Sequence, residues 1–98
     1  MLAVIMDELQ RMRQAIRTQN YRISSHANEE MADDALLAID IERIVFTGQI
    51  AQKFTKDERG RRYTVLGETT DNRKAYVLGR FLLSGVLLII TAYAVEEE

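Results

Sequence analysis

The sequence has no cysteine, no proline, one histidine and only five glycines. Without cysteine there is no disulfide and no thiolate metal site. With His26 as the lone imidazole, a zinc site would need carboxylates or a second subunit, so neither metal nor other cofactor is expected. Gly60, Gly67, Gly79 and Gly85 are scattered and build no phosphate-binding loop, and no nucleophile elbow is present. No proline-rich linker and no repeat divides the chain, which reads as a single domain over residues 1–98. The apolar N-terminal residues are interrupted by Asp7, Glu8, Arg11 and Arg13, unlike a signal peptide, so a cytoplasmic location is expected. Residues 81–95 carry no charge, but that is 15 residues, short of the roughly 20 a spanning helix needs, and Ser84-Gly85 splits them. No membrane partner is expected.

The longest apolar run is residues 86–93, Val-Leu-Leu-Ile-Ile-Thr-Ala-Tyr. Its β-branched content and lack of alternation predict a strand buried on both faces, with helices packed against it. Upstream, Leu2, Ile5, Leu9, Met12 and Ile16 repeat at three and four, one narrow face of a helix over about residues 2–18. That helix either lies on the domain's own sheet or pairs with its copy in a homodimer. Tyr21-Arg22-Ile23 reads as an extended link, and Ser24 or Ser25 as the cap of a second helix reaching about Ala35, with Ala27, Met31 and Ala35 inward. A third helix runs from Ile39 to about Thr47, with Asp40 in its first turn and Gly48 as its C-terminal cap.

From Gln49 the period becomes two. Ile50, Gln52 and Phe54 alternate with Ala51, Lys53 and Thr55, and a turn at residues 57–60 leads to a strand over 61–69. Thr70-Asp71-Asn72 turns into a strand over 74–82, and Ser84-Gly85 into the last one. The expected fold is α+β: two or three N-terminal helices packed on a four-stranded antiparallel meander, in two layers.

The charge is uneven. Residues 1–48 hold five basic and eight acidic side chains, residues 49–95 eight basic and four acidic, and the last three residues are Glu. The strand-forming half is thus a basic module on an acidic chain, which favours an anionic partner. Three residues stand out as chemistry-bearing. His26, in the first turn of a helix, is placed where the helix dipole disfavours the imidazolium; equally, it packs at the helix–sheet seam. Arg80 lies inside an apolar strand and needs a carboxylate, a phosphate or solvent, with Glu68 as the intramolecular candidate. Alternation puts Arg80 beside Tyr76 and Leu78. Tyr93 ends the last strand, where its hydroxyl reaches a groove or water.

The ordered set Tyr21-Arg22-Ile23-Ser24-Ser25-His26-Ala27, Asp40-Ile41-Glu42, Gly48, Gly60-Arg61-Arg62-Tyr63, Gly79-Arg80-Phe81 and Ile89-Ile90-Thr91-Ala92-Tyr93 resembles the bacterial domain-of-unknown-function family 4258, DUF4258. The resemblance covers about residues 20–95 and leaves the helix of residues 1–19 outside it. Two departures affect local stability: Ala38-Ile39 where a polar helix cap is expected, and Asn72 where a turn glycine is expected. The family is similar to the RelE/ParE-type toxin fold. That likeness implies a RelE-like sheet, a metal-independent endoribonuclease acting freely or on the ribosome, and an antitoxin partner. In that setting His26, Arg80 and Tyr93 would be catalytic, and Arg61, Arg62 and Lys74 would bind RNA. The other reading is a non-catalytic interaction domain that self-associates through the N-terminal helix, favoured by a pI near 5.4, low for a nucleic-acid binder.

Overall fold

The computed structural model describes residues 7–56, 58 and 60–96. Three helices, α1 (Glu8–Arg17), α2 (Ser25–Asp33) and α3 (Ala38–Thr47), accompany five strands. The strands are β1 (Tyr21–Ile23), β2 (Gln49–Phe54), β3 (Arg62–Glu68), β4 (Lys74–Phe81) and β5 (Leu87–Ala94). They form one sheet in the order β1-β5-β4-β3-β2. The expected four-stranded antiparallel meander is corrected to a five-stranded mixed sheet: Tyr21-Arg22-Ile23 is a strand, paired parallel to β5 through Tyr21↔Leu87 and Ile23↔Ile89. Three residues are too few to display alternation, so only the pairing reveals this strand.

Each helix starts where a side chain takes up free backbone N–H groups. Asp7 accepts from the Gln10 N–H at 2.8 Å and Gln10 reaches back to the Asp7 N–H, a reciprocal cap for α1. Leu2, Ile5 and Met6 of the expected apolar stripe lie outside the described residues. The remainder, Leu9, Met12, Ala15 and Ile16, is buried in the domain's own core. Arg13 donates to the Val45 and Gly48 carbonyls, fastening α1 to the end of α3. Ser24 caps α2, accepting from the Ala27 N–H at 3.0 Å and donating to the Ile90 carbonyl of β5. That helix stops at Asp33, and Ala35, expected inward, is exposed with φ of 54°. At α3 the cap position is Leu37, which has no polar side chain. Asp40 substitutes for the missing cap: its Oδ2 accepts from the Leu37 N–H at 2.9 Å, and its Oδ1 from the Thr70 N–H and hydroxyl.

The core lies on one face of the sheet. Tyr63, Val65, Ala75, Val77, Leu87, Ile89 and Ala92 face Met12, Ile16, Met31, Ile41, Ile44 and Val45. Among the described residues the other face carries no helix. Here the structure corrects the expectation of a strand buried on both faces: in β5, Leu87, Ile89 and Ala92 are buried, while Leu88, Ile90 and Thr91 are half-buried and Tyr93 is exposed. A bulge between the Leu78 and Gly79 pairings, where β5 steps from Thr91 to Ile89, restores the inward phase for Ala92. A second bulge at Ala51 does the same in β2. Ile50 pairs with Val65 on the core side, and Phe54 pairs with Arg62 on the helix-free side, so the simple alternation expected from Ile50 to Phe54 is broken. Among the described residues no helix is long and apolar enough to cross a membrane.

Candidate functional site

The helix-free face is where the chemistry-bearing side chains gather. Strand pairing sorts them into rows across the sheet. Near the start of β3, Arg62 lies opposite Phe54, and in β4 Arg80 lies opposite Leu88. Next come Gln52, Thr64, Leu78 and Thr91, paired in sequence across β2, β3, β4 and β5. Then follow Leu66, Tyr76 and Tyr93, the two tyrosine rings 5.4 Å apart and tilted by 38°. A shallow groove of about 430 Å³ opens over these rows, walled by Gln52, Phe54, Thr64, Tyr76, Leu78, Thr91 and Tyr93. Its surface mixes apolar rings with hydroxyls. The Arg62 guanidinium stacks 4.8 Å from the Phe54 ring centre, which keeps a cation flat on the groove's end.

His26 joins this face from the side. Because β1 spans only Tyr21–Ile23, the second half of β5 would be an open edge, and α2 runs beside it instead. Ala27 and Met31 of α2 enter the core, whereas His26 and Glu30, one turn apart, point toward the helix-free rim. His26 Nε2 lies 3.1 Å from Glu30 Oε1, and its side chain is 67% exposed. The same Glu30 oxygen accepts the hydroxyl of Thr91. Glu30 therefore ties the imidazole to the middle row of the groove. The helix packing against β5 also uses Asp34, whose Oδ2 accepts the Ala94 N–H at 2.8 Å.

The residues singled out in the sequence are brought together in part. Arg80 and Tyr93 share the helix-free face, four residues apart in terms of β4 register, or about 13 Å along the strand. His26 is fastened between them through Glu30 and Thr91. Arg62 adjoins the Arg80 end, and Arg61 is exposed just before β3. Lys74 lies at the opposite end of the same face, one row beyond Tyr76: it opens β4 opposite Glu68 and lines a neighbouring hollow of about 290 Å³ with Thr47, Gln49 and Gly67. The three expected RNA-binding cations thus do not form one cluster. Glu68 is also excluded as the carboxylate for Arg80, since it pairs with Lys74 at the far end of the same strand. Glu30, Thr91, Phe54, Thr64 and Tyr76 were not singled out. For Tyr76 the signal existed in its alternation with Val77; for Glu30 and Thr91, 61 positions apart, none did.

Asp40 and Tyr21 are perturbed ionisable groups that serve structure. Burial of Asp40 opposes its charge, yet hydrogen bonds from Leu37 and Thr70 outweigh it and hold the carboxyl below its usual range. Tyr21 donates to Glu42 at 2.6 Å, and burial first, then that carboxylate, pushes the phenol up to about 12. Among the described residues, no group of three His, Cys, Asp or Glu side chains could hold a metal ion.

A family model described as a domain of unknown function, DUF4258, matches residues 23–94. The chain belongs to the DUF4258 family. No curated protein and no solved structure matches it. The matched DUF4258 region starts at the last residue of β1 and ends at the last residue of β5. It contains His26, Glu30, Arg62, Tyr76, Arg80, Thr91 and Tyr93, whereas Arg22, paired with Leu88 on the same face, and the whole of α1 lie outside it.

Proposed function

We propose that this chain is a toxin-like, metal-independent endoribonuclease whose working surface is the helix-free face of the sheet. The observation that carries this reading is that Arg80 and Tyr93 lie on one sheet face, with His26 linked through Glu30 to Thr91, which with Tyr76 and Tyr93 lines the groove on that face. Single-stranded RNA is recognised by unstacked bases laid on aromatic side chains and by cations on the phosphates, and this face offers both. The basic balance of the strand-forming half supports the same partner.

The chemistry needs no group beyond those of the chain. A substrate 2′-hydroxyl attacks the adjacent phosphorus in line, its proton passing to His26 Nδ1, the ring nitrogen that Glu30 does not hold. The guanidinium of Arg80, with Arg62 beside it, stabilises the charge on the pentavalent phosphate. The bond to the 5′-oxygen breaks, the His26 imidazolium returns its proton to that oxygen, and Tyr93, two rows from Arg80, orients the substrate. The products are a 2′,3′-cyclic phosphate and a free 5′-hydroxyl. Glu30 orients the imidazole rather than touching substrate. A nuclease of this kind requires restraint in its own cell, which implies an antitoxin protein that covers the face, with RNA alone or on the ribosome as target.

The test is expression of the wild-type chain, His26→Ala and Arg80→Ala, following growth and total RNA. Wild type should arrest growth and fragment RNA, and each variant should grow normally while remaining folded by thermal melt. A wild-type chain that neither slows growth nor cuts RNA, with or without ribosomes, overturns the reading.

A further inference from the structure

The groove does not end at Phe54. That ring also walls a second hollow of about 390 Å³, lined otherwise by Lys53, Thr55, Lys56 and Arg62, where β2 and β3 converge on their connecting turn. Arg62 stacks on Phe54 between the two hollows. Lys53 has its side chain half exposed and is steadied 3.4 Å from Glu8 of α1, and Lys56 is exposed. The hollow is therefore cationic, with the Phe54 ring that it shares with the groove on one side, and Lys53 reaches it round the β2 edge from the side of α1.

From this continuity we propose that the β2–β3 end is a subsite for a flanking phosphate, so that the preferred ligand is a single strand of several nucleotides running from the Tyr76–Tyr93 pair to Lys56. The inference rests on the proposed ribonuclease reading for its choice of ligand. The Leu66 and Arg62 rows are four residues apart on β3, or about 13 Å, so a base on the tyrosines and a phosphate beside Lys56 belong to different nucleotides. Cations and a stacked ring recognise phosphate and base without reading sequence or the 2′-hydroxyl. A deoxy strand should therefore occupy the subsite as well as RNA while resisting cleavage. The carboxylates of an acidic peptide would meet the same cations but would gain nothing from the Phe54 ring.

The probe is a labelled octamer of deoxythymidylate, with the dinucleotide as comparison, titrated with the full chain and followed by fluorescence anisotropy. Lys56→Gln should weaken octamer binding roughly three- to fivefold at low salt and lower the salt slope by about one. Phe54→Ala should weaken it roughly five- to tenfold through lost stacking, with Phe54→Tyr restoring it. The dinucleotide should be unaffected by Lys56→Gln, and Arg43→Gln, the same charge change on the exposed side of α3, should leave the octamer unchanged. Equal octamer binding by wild type and Lys56→Gln, equal weakening by Arg43→Gln, or no octamer binding at all overturns the subsite. Octamer binding without any RNA cleavage keeps the subsite and removes the nuclease. Cleavage of a long RNA that ignores Lys56→Gln does the reverse.

Discussion

Asp40 is the side chain on which the most backbone depends. It is 3% exposed, and its two oxygens satisfy the N–H of Leu37, the residue capping α3, and both donors of Thr70, joining the helix start to the β3–β4 turn. Replacing it by Asn turns one acceptor into a donor facing another donor, and should cost about 2 kcal/mol at neutral pH by urea denaturation. Because the folded carboxyl titrates below its ordinary value, its contribution is complete above about pH 5 and is lost as pH falls through the ordinary carboxylate range. The stability gap between wild type and Asp40→Asn should therefore narrow from pH 5 to pH 3. A gap independent of pH would contradict the assignment. Tyr21 has the opposite sign: its raised value means stability present below about pH 10 and lost as pH rises toward 12. An ultraviolet titration should show one phenol ionising last, near 12, and Tyr21→Phe should remove that final step.

At the scale of elements, the α3–β3 contact is set by missing side chains. A Cβ on Gly67 would lie 2.2 Å from the Ile44 carbonyl oxygen and 2.9 Å from its carbon, both backbone atoms that cannot move without the helix. Gly67→Ala should destabilise by about 3 kcal/mol or more. Gly60→Ala, in open space but at φ of 107°, should cost only about 1–2 kcal/mol, and a thermal melt of the two variants compares them. Deleting residues 1–18 removes the buried side chains of Leu9, Met12, Ala15 and Ile16 from the core. At about 1.5–3 kcal/mol for each large apolar side chain, that loss approaches the stability of a small domain. The truncated chain should show no cooperative melt, and a sharp transition would contradict the packing of α1. Element identity was largely readable from hydrophobic period, as in the stripe of Leu9, Met12 and Ile16 and the alternation of Tyr63 and Val65. What could not be read were features set by pairing. β1 is shorter than one full period of evidence for alternation, and the bulges at Ala51 and Ile90 reverse side-chain phase with no glycine in the bulged strand itself to mark them. The run at 86–93 misled because Leu88 and Ile90 are apolar on a face that carries no helix.

For the molecule as a whole, one face of the sheet is spent on the core, and the other carries a groove lined by rings and hydroxyls, with Arg62 and Arg80 in the row beyond it. Arg80 could be assigned to a face from strand parity alone, whereas the bulge at Ile90 reverses the face that parity gives Tyr93. His26 could not, because its place depends on α2 lying along the half of β5 that β1 leaves uncovered, and on a glutamate 61 positions before Thr91. The account stands on that face being where RNA is bound and cut. The most direct measurement is incubation of purified protein with a single-stranded RNA in the presence of a chelator, with analysis of the new 3′ ends. The predicted result is fragments ending in 2′,3′-cyclic phosphate, formed roughly a hundredfold or more slowly by His26→Ala. Intact RNA, or cleavage that proceeds at the same rate without the imidazole, would contradict it.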